Sequence, residues 1–219
     1  MSKLGFRGII LSVQPRIRMT RSFDERSHNY LGYALVLKGV IDLHEGESTY
    51  RQVNSETIFT VGIGKAAQQK YQFCAGDEVT GECEPVGDTS MEPVDYYKAS
   101  RLKKTAHNTR QSHKSPPWQG APPALEVYRE RGHRRLAART YDSKCTTCMW
   151  GCRMPVEIII DHWNPGRRDY RFETFCYGPL SCEFYKAGPT RKVKGRNGMV
   201  YVEEDWVDEE ETGHRESDE

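Results

Sequence analysis

Five of the seven cysteines in this 219-residue chain fall between Cys145 and Cys182, as C-x2-C-x3-C and then, after a hairpin-like segment, C-x5-C. No other feature restricts the fold as much. In a chain without an export signal, such a cluster reads as a metal site rather than a disulfide framework, because reducing compartments keep thiols free to act as thiolates. Cys145-Thr-Thr-Cys148 has the spacing by which one tight turn presents two thiolates to the same ion, and Cys176 with Cys182 would close a tetrahedron from the other side. Between the pairs lie an apolar strand, Val156 to Trp163, a turn signal at Asn164-Pro-Gly-Arg, and a second strand, Asp169 to Phe175, with alternating aromatics.

Composition supports a small metal-stapled unit. Only 37% of residues are hydrophobic and 29% are charged, thin for one core across the whole chain. The expected organisation is therefore two units: residues 1–105, a proline-rich linker at 106–123, and a cysteine-rich metal-binding domain at 124–202. An acidic, disordered tail at 203–219 would follow. Its ten Asp and Glu residues stand against the single Arg215, so the net charge of +1 conceals a body of about +10. That body points to a polyanionic partner, with the tail competing for the same surface. Met1 to Gln14 has a short apolar run at Ile9, Ile10 and Leu11 but not the longer hydrophobic region of a signal peptide. No apolar stretch approaches the roughly 18 residues of a membrane span, so a soluble, cytoplasmic protein without membrane contacts is expected.

In the first half, alternation predicts a long strand over Phe6 to Thr20, bent near Pro15, and a second over Tyr30 to Ile41. A turn at the HEGES segment around Gly46 and a third strand, Glu56 to Ile63, follow. Lys65 to Tyr71 (KAAQQKY) favours helix, and Val79 to Val86 and Val94 to Leu102 supply strands four and five. This order, with Phe73-x-x-Gly76-Asp77-x-Val79 entering the fourth strand, resembles the OB fold, a five-stranded Greek-key barrel. The resemblance implies a mainly β architecture and a binding face for single-stranded nucleic acid or oligosaccharide on the second and third strands and their loops. The basic and aromatic residues of the matching regions are Arg16, Arg18, Arg21, Arg26 and Tyr33, with Lys98, Arg101, Lys103 and Lys104 at the exit of the fifth strand. Cations there would neutralise phosphates and the aromatic ring would stack on bases. Tyr30 and Tyr33 fall on opposite faces, so only one of them serves a given surface.

His107 and His113 lie in the linker and read as solvated rather than as ligands. After Pro122 and Pro123, a short helix over Ala124 to Glu130 should end at Gly132. His133 to Tyr141 continues it or forms a strand. A hairpin between two cysteine pairs resembles a zinc ribbon, with Cys145, Cys148, Cys176 and Cys182 as ligands of a structural zinc. The second pair departs from the ribbon's usual C-x2-C, and Cys152 is left over. An iron-sulfur cluster, with Cys152 as an alternative ligand beside Cys145, Cys148 and either Cys176 or Cys182, is the competing cofactor. No motif of a catalytic zinc, a phosphate-binding glycine loop or a paired-carboxylate site is present, so no residue is assigned a catalytic role. The expected function is single-stranded nucleic-acid binding with a structural metal. A redox protein and a scaffold for a protein partner are the alternatives.

Overall fold

Alternation of inward and outward side chains along the first strand sets the architecture. The computed structural model describes residues 3–23, 25–45, 49–52, 56–106, 115–164 and 166–216. Strand β1 (Leu4–Arg21) buries Phe6, Ile10, Val13, Ile17 and Met19, and it pairs antiparallel with β2 (Arg26–Glu45) along almost its whole length. Two register shifts, between Ile10 and Ser12 and between Arg16 and Ile17, flank Pro15 and bend the ribbon, as extra residues in one strand do. Gly32, at φ 132°, lies on β2 beside the second shift; a Cβ there would meet the Ile63 carbonyl oxygen at 2.1 Å, so only glycine fits.

The remaining N-terminal strands are β3 (Thr49–Gln52), β4 (Thr57–Ile63), β5 (Glu78–Pro85) and β6 (Tyr96–Ala106), with helix α1 (Lys65–Tyr71) between β4 and β5. Pairings run β1-β2-β4-β6-β5 and back to β1, which closes a ring of five strands. The closing seam, β4 beside β6, is parallel and short, with Val61 opposite Tyr96. Asp95 reinforces it: its carboxylate accepts from the Thr60 amide at 2.8 Å and hydroxyl at 2.7 Å, and its own amide donates back to that hydroxyl. Helix α1 ends at Gln72 in the left-handed conformation, and buried Gln68 donates to the Phe73 carbonyl at 2.9 Å. Strand β3 is an addition to the expected order, the HEGES turn lies partly outside the described residues, and His107 and His113 lie outside them altogether.

Helix α2 (Leu125–Arg131) ends at Gly132, as its sequence indicated. Glycine is required there, at φ 62°, because a Cβ would sit 2.2 Å from the Glu211 carbonyl oxygen. The segment read as either helix or strand divides into both, a two-residue strand β7 (Arg134–Arg135) and a helical turn α3 (Ala138–Thr140) running into a π-helical turn over Tyr141–Cys145. Strands β8 (Gly151–Ile159) and β9 (Arg168–Cys176) form the expected hairpin, and β10 (Arg191–Lys194) pairs with β11 (Val200–Glu203).

The two halves share a sheet and a core. Met19, Thr20 and Arg21 of β1 pair in parallel with Val156, Glu157 and Ile158 of β8, so one nine-stranded sheet runs through the molecule. Cys152, Met154, Val156 and Phe175 pack in the same buried cluster as Ile10, Val13 and Leu35. The linker thus separates the halves in sequence but not in packing.

The acidic segment from residue 203, expected as a disordered tail, is folded through Glu216: it carries the end of β11 and helix α4 (Trp206–Thr212). Fully buried Arg135 explains why. Its guanidinium donates to Asp205 at 2.5 Å, to Asp208 at 3.2 Å and to the carbonyls of Glu203 and Pro189. A buried guanidinium needs opposite charge and acceptors, and the acidic segment supplies both. No helix among the described residues is long and apolar enough to cross a membrane.

Candidate nucleic-acid interface and cysteine cluster

The outer face of β1, β2 and β4 is formed by the side chains that alternate away from the core. Gln14 stands opposite Ala34, Ser12 opposite Val36, and Val36 opposite Thr60, while Leu35 and Leu37 point inward. A groove of about 460 Å³ runs over this face, floored by Leu11, Pro15, Ala34, Val36 and Ile58. Ile58 is 68% exposed, an unusual position for an isoleucine. The opposite wall is Tyr141, Asp142, Thr146, Thr147 and Arg153, from the π-helical turn, the Cys145–Cys148 loop and β8.

Gln14 fastens that wall to the barrel. Its amide donates to the carbonyls of Cys145 at 2.8 Å and Cys148 at 2.9 Å, and its oxygen accepts from the Tyr141 hydroxyl at 2.7 Å. Ser12 adds a bond to the Thr146 carbonyl at 2.9 Å. The approach is close enough to demand glycine at 151, where a Cβ would lie 2.7 Å from the Cys145 carbonyl oxygen.

A second concavity, of about 410 Å³, continues from the first, and Asp142 and Arg153 line both. It holds Arg171, Phe172, Glu173, Arg191 and Lys192. Glu173 takes two guanidiniums, Arg171 and Arg191, each at 2.6 Å, which leaves a positive excess beside exposed Lys192 and Arg153. The Arg153 guanidinium lies 4.9 Å over the exposed ring of Phe172. Sequence reading does not mark these residues as a surface. The available signal is alternation: Arg153 projects outward between buried Cys152 and Met154, and Phe172 stands outside buried Glu173.

The residues singled out for nucleic acid lie elsewhere and in separate places, most of them beside internal carboxylates. Arg16 and Arg18 share Glu92, at 3.7 and 2.8 Å. Buried Arg21 pairs with Glu203 at 2.6 Å, and Arg26 pairs with Glu203 and Glu211. The acidic segment therefore does meet two of the expected arginines. On β6, Lys98 pairs with Glu84 at 2.8 Å and Arg101 with Glu82 at 2.6 Å; Lys104 meets buried Asp77 at 2.7 Å, and Lys103 is exposed. Tyr33 is buried and donates to the Pro123 carbonyl, so its ring offers no stacking face.

Cys145, Cys148 and Cys176 pack in one small cluster, and Cys182 lies close enough to interact electrostatically with Cys145 and Cys176. The β8–β9 register makes this meeting possible, because Gly151, just after the first pair, stands opposite Cys176. Burial pushes the Cys145 thiol up to about 12 and Cys148 to about 11. Backbone N–H groups near Trp150, Trp118 and Gly151 oppose the rise at Cys148. At Cys176 the Gly178 amide, 3.4 Å from the sulfur, and Arg134 do the same. Cys152 alternates to the other face of the hairpin, opposite Phe175, where it is fully buried and faces the Pro15 carbonyl at 3.5 Å. Among the described residues, no group of three or more His, Cys, Asp or Glu side chains stands ready-made as a coordination shell. Compared with family models, curated proteins and solved structures, the chain matches none.

Proposed function

We propose that the chain binds single-stranded nucleic acid in the two joined concavities, with the strand crossing the outer face of β1, β2 and β4. The observation that carries this reading is the continuity of an apolar floor with a cationic cleft containing an exposed ring, Phe172, at the shared boundary residues Asp142 and Arg153. Bases have apolar faces to lay on the floor and on Phe172, and phosphates have Arg153, Arg171 and Lys192 to approach. The ring of five strands has the order of an OB barrel, in which the corresponding face serves this purpose. A single strand fits better than a duplex, because stacking on a side chain needs unpaired bases.

Titrating fluorescent single-stranded DNA and RNA oligonucleotides at two salt concentrations tests it. Binding should weaken steeply with salt, and Arg153→Ala or Lys192→Ala should each lower the slope by roughly 0.7 for every phosphate that is no longer neutralised. Phe172→Ala should weaken binding at both salts alike, since stacking is not screened. Absence of binding at low salt, a salt-independent affinity, or wild-type affinity in the Arg153→Ala/Phe172→Ala double variant would each overturn the proposal.

A further inference from the structure

Two buried arginines lack the counter-charge that buried cations require. Arg215 donates to the carbonyls of Arg131, Gly132 and Gly178, and Arg134 to those of Pro179 and Leu180. Both are less than a tenth exposed, and among the described residues neither has a carboxylate partner. Arg135, next to Arg134 in the chain, takes two carboxylates. Carbonyl dipoles solvate a guanidinium but do not neutralise it, so an anion is expected within reach. What the two arginines share is the neighbourhood of Cys176. Arg134 holds the Pro179 and Leu180 carbonyls in the loop between Cys176 and Cys182, and Arg215 holds the carbonyl of Gly178 in the same loop, whose amide points at the Cys176 sulfur.

We infer that Cys145, Cys148, Cys176 and Cys182 bind one zinc ion as thiolates, and that Arg134 and Arg215 balance the charge of the complex. Four thiols release four protons to solvent as the metal binds, giving a site of net charge −2 that two guanidiniums offset. The donor at Cys176 fits a thiolate. The Gly178 amide presents its hydrogen to the Cys176 sulfur at 3.4 Å, a contact that favours the negative form. Opposite placement of Cys152 on the hairpin removes it from the shell and leaves four ligands, the number a structural zinc takes. It also removes the iron-sulfur set that used Cys152. Through Gln14, the ion would fix the wall of the groove, because the Cys145 and Cys148 carbonyls that Gln14 holds belong to the loop carrying the first two ligands.

Elemental analysis of the full chain purified anaerobically, without nucleic acid, tests this independently of the binding proposal. One zinc per chain and no iron or sulfide is expected. Cobalt exchanged for zinc should give the intense visible bands of a tetrahedral site and the near-ultraviolet thiolate charge-transfer absorption. Cys152→Ser should retain the metal. Replacing Cys145 or Cys176 by Ser should abolish it. Because those variants are also exposed to misfolding, stepwise thiol titration of the wild-type chain with a mercurial provides a second reading: zinc should be released as four thiols react. Arg215→Met should lower zinc affinity by about ten- to a hundred-fold, as removal of an outer partner does. Failure of the chain to take up zinc on reconstitution, retention of cobalt by Cys176→Ser, loss of metal in Cys152→Ser, or an iron-sulfur spectrum would each overturn the assignment.

Discussion

Replacing Gln14 by Leu keeps the side-chain volume close to the original and removes every polar contact between the centre of β1 and the cysteine loop except that of Ser12. Three hydrogen bonds disappear: two donated to the Cys145 and Cys148 carbonyls and one accepted from Tyr141. At about 1 kcal/mol net for each, the cost is about 3 kcal/mol. The two carbonyls keep one bond each, from the amides of Cys148 and Gly151, which holds the penalty at this level rather than higher. Tyr141→Phe removes a single bond and should cost about 1.5 kcal/mol, because it also leaves the buried Gln14 oxygen without a donor. In the double variant the hydroxyl has nothing left to lose, so the effects should fall short of additivity by about 1 kcal/mol. Urea unfolding followed by tryptophan fluorescence, with unchanged slope and shifted midpoint, provides the measurement. A Gln14→Leu cost below about 0.5 kcal/mol, or full additivity with Tyr141→Phe, would refute the view that Gln14 fastens the loop to the barrel.

Arg135→Met should cost about 3–5 kcal/mol, since it leaves the sheltered Asp208 carboxylate without its partner, whereas Asp205→Asn, at a side chain 82% exposed, should cost under about 1 kcal/mol. Equal costs in urea unfolding would contradict this division of labour. Burial, and then the charges of Arg26 and Arg21, lower His28 to about 4, while the unfolded chain titrates near the ordinary 6.5. Between those values the unfolded chain holds a proton that the folded chain does not. Stability is therefore full above pH 6.5 and is lost as pH falls toward 4, by on the order of 3 kcal/mol. Buried His133, lowered first by burial and next by His28, acts in the same direction. His28→Gln should flatten the pH profile without abolishing it, and a profile unchanged by that substitution would exclude His28 as its source.

Local order was legible wherever the signal was local. Lys65 to Tyr71 is helical as its composition indicated, alternation located the strands of the ring, and Gly132 ends α2. The two cysteine pairs flank a hairpin, as their spacing suggested. What the sequence does not display is which charges meet across long separations. Arg21 and Glu203 are 182 residues apart, and Arg18 and Glu92 are 74 apart, so a count of arginines along the barrel could not show that those side chains are already paired. The acidic end was misleading for the same reason: its composition is that of a disordered segment, but Asp205 and Asp208 answer a buried arginine 70 or more positions away. Gln14 carries no motif at all, and its role follows only from where the cysteine loop docks.

Strand β1 is bonded to β2, β5 and β8, and its contacts with the cysteine loop reach 134 residues along the chain. A strand with so many partners behaves as a hub. It cannot reach its final hydrogen bonding until the last third of the chain has been made, so the ring's own pairs can form during synthesis while the edge offered to β8 stays open. The same geometry ties the halves together through the shared sheet as well as through the chain. The N-terminal fragment made alone would present a bare strand edge and an uncovered apolar surface, and would self-associate.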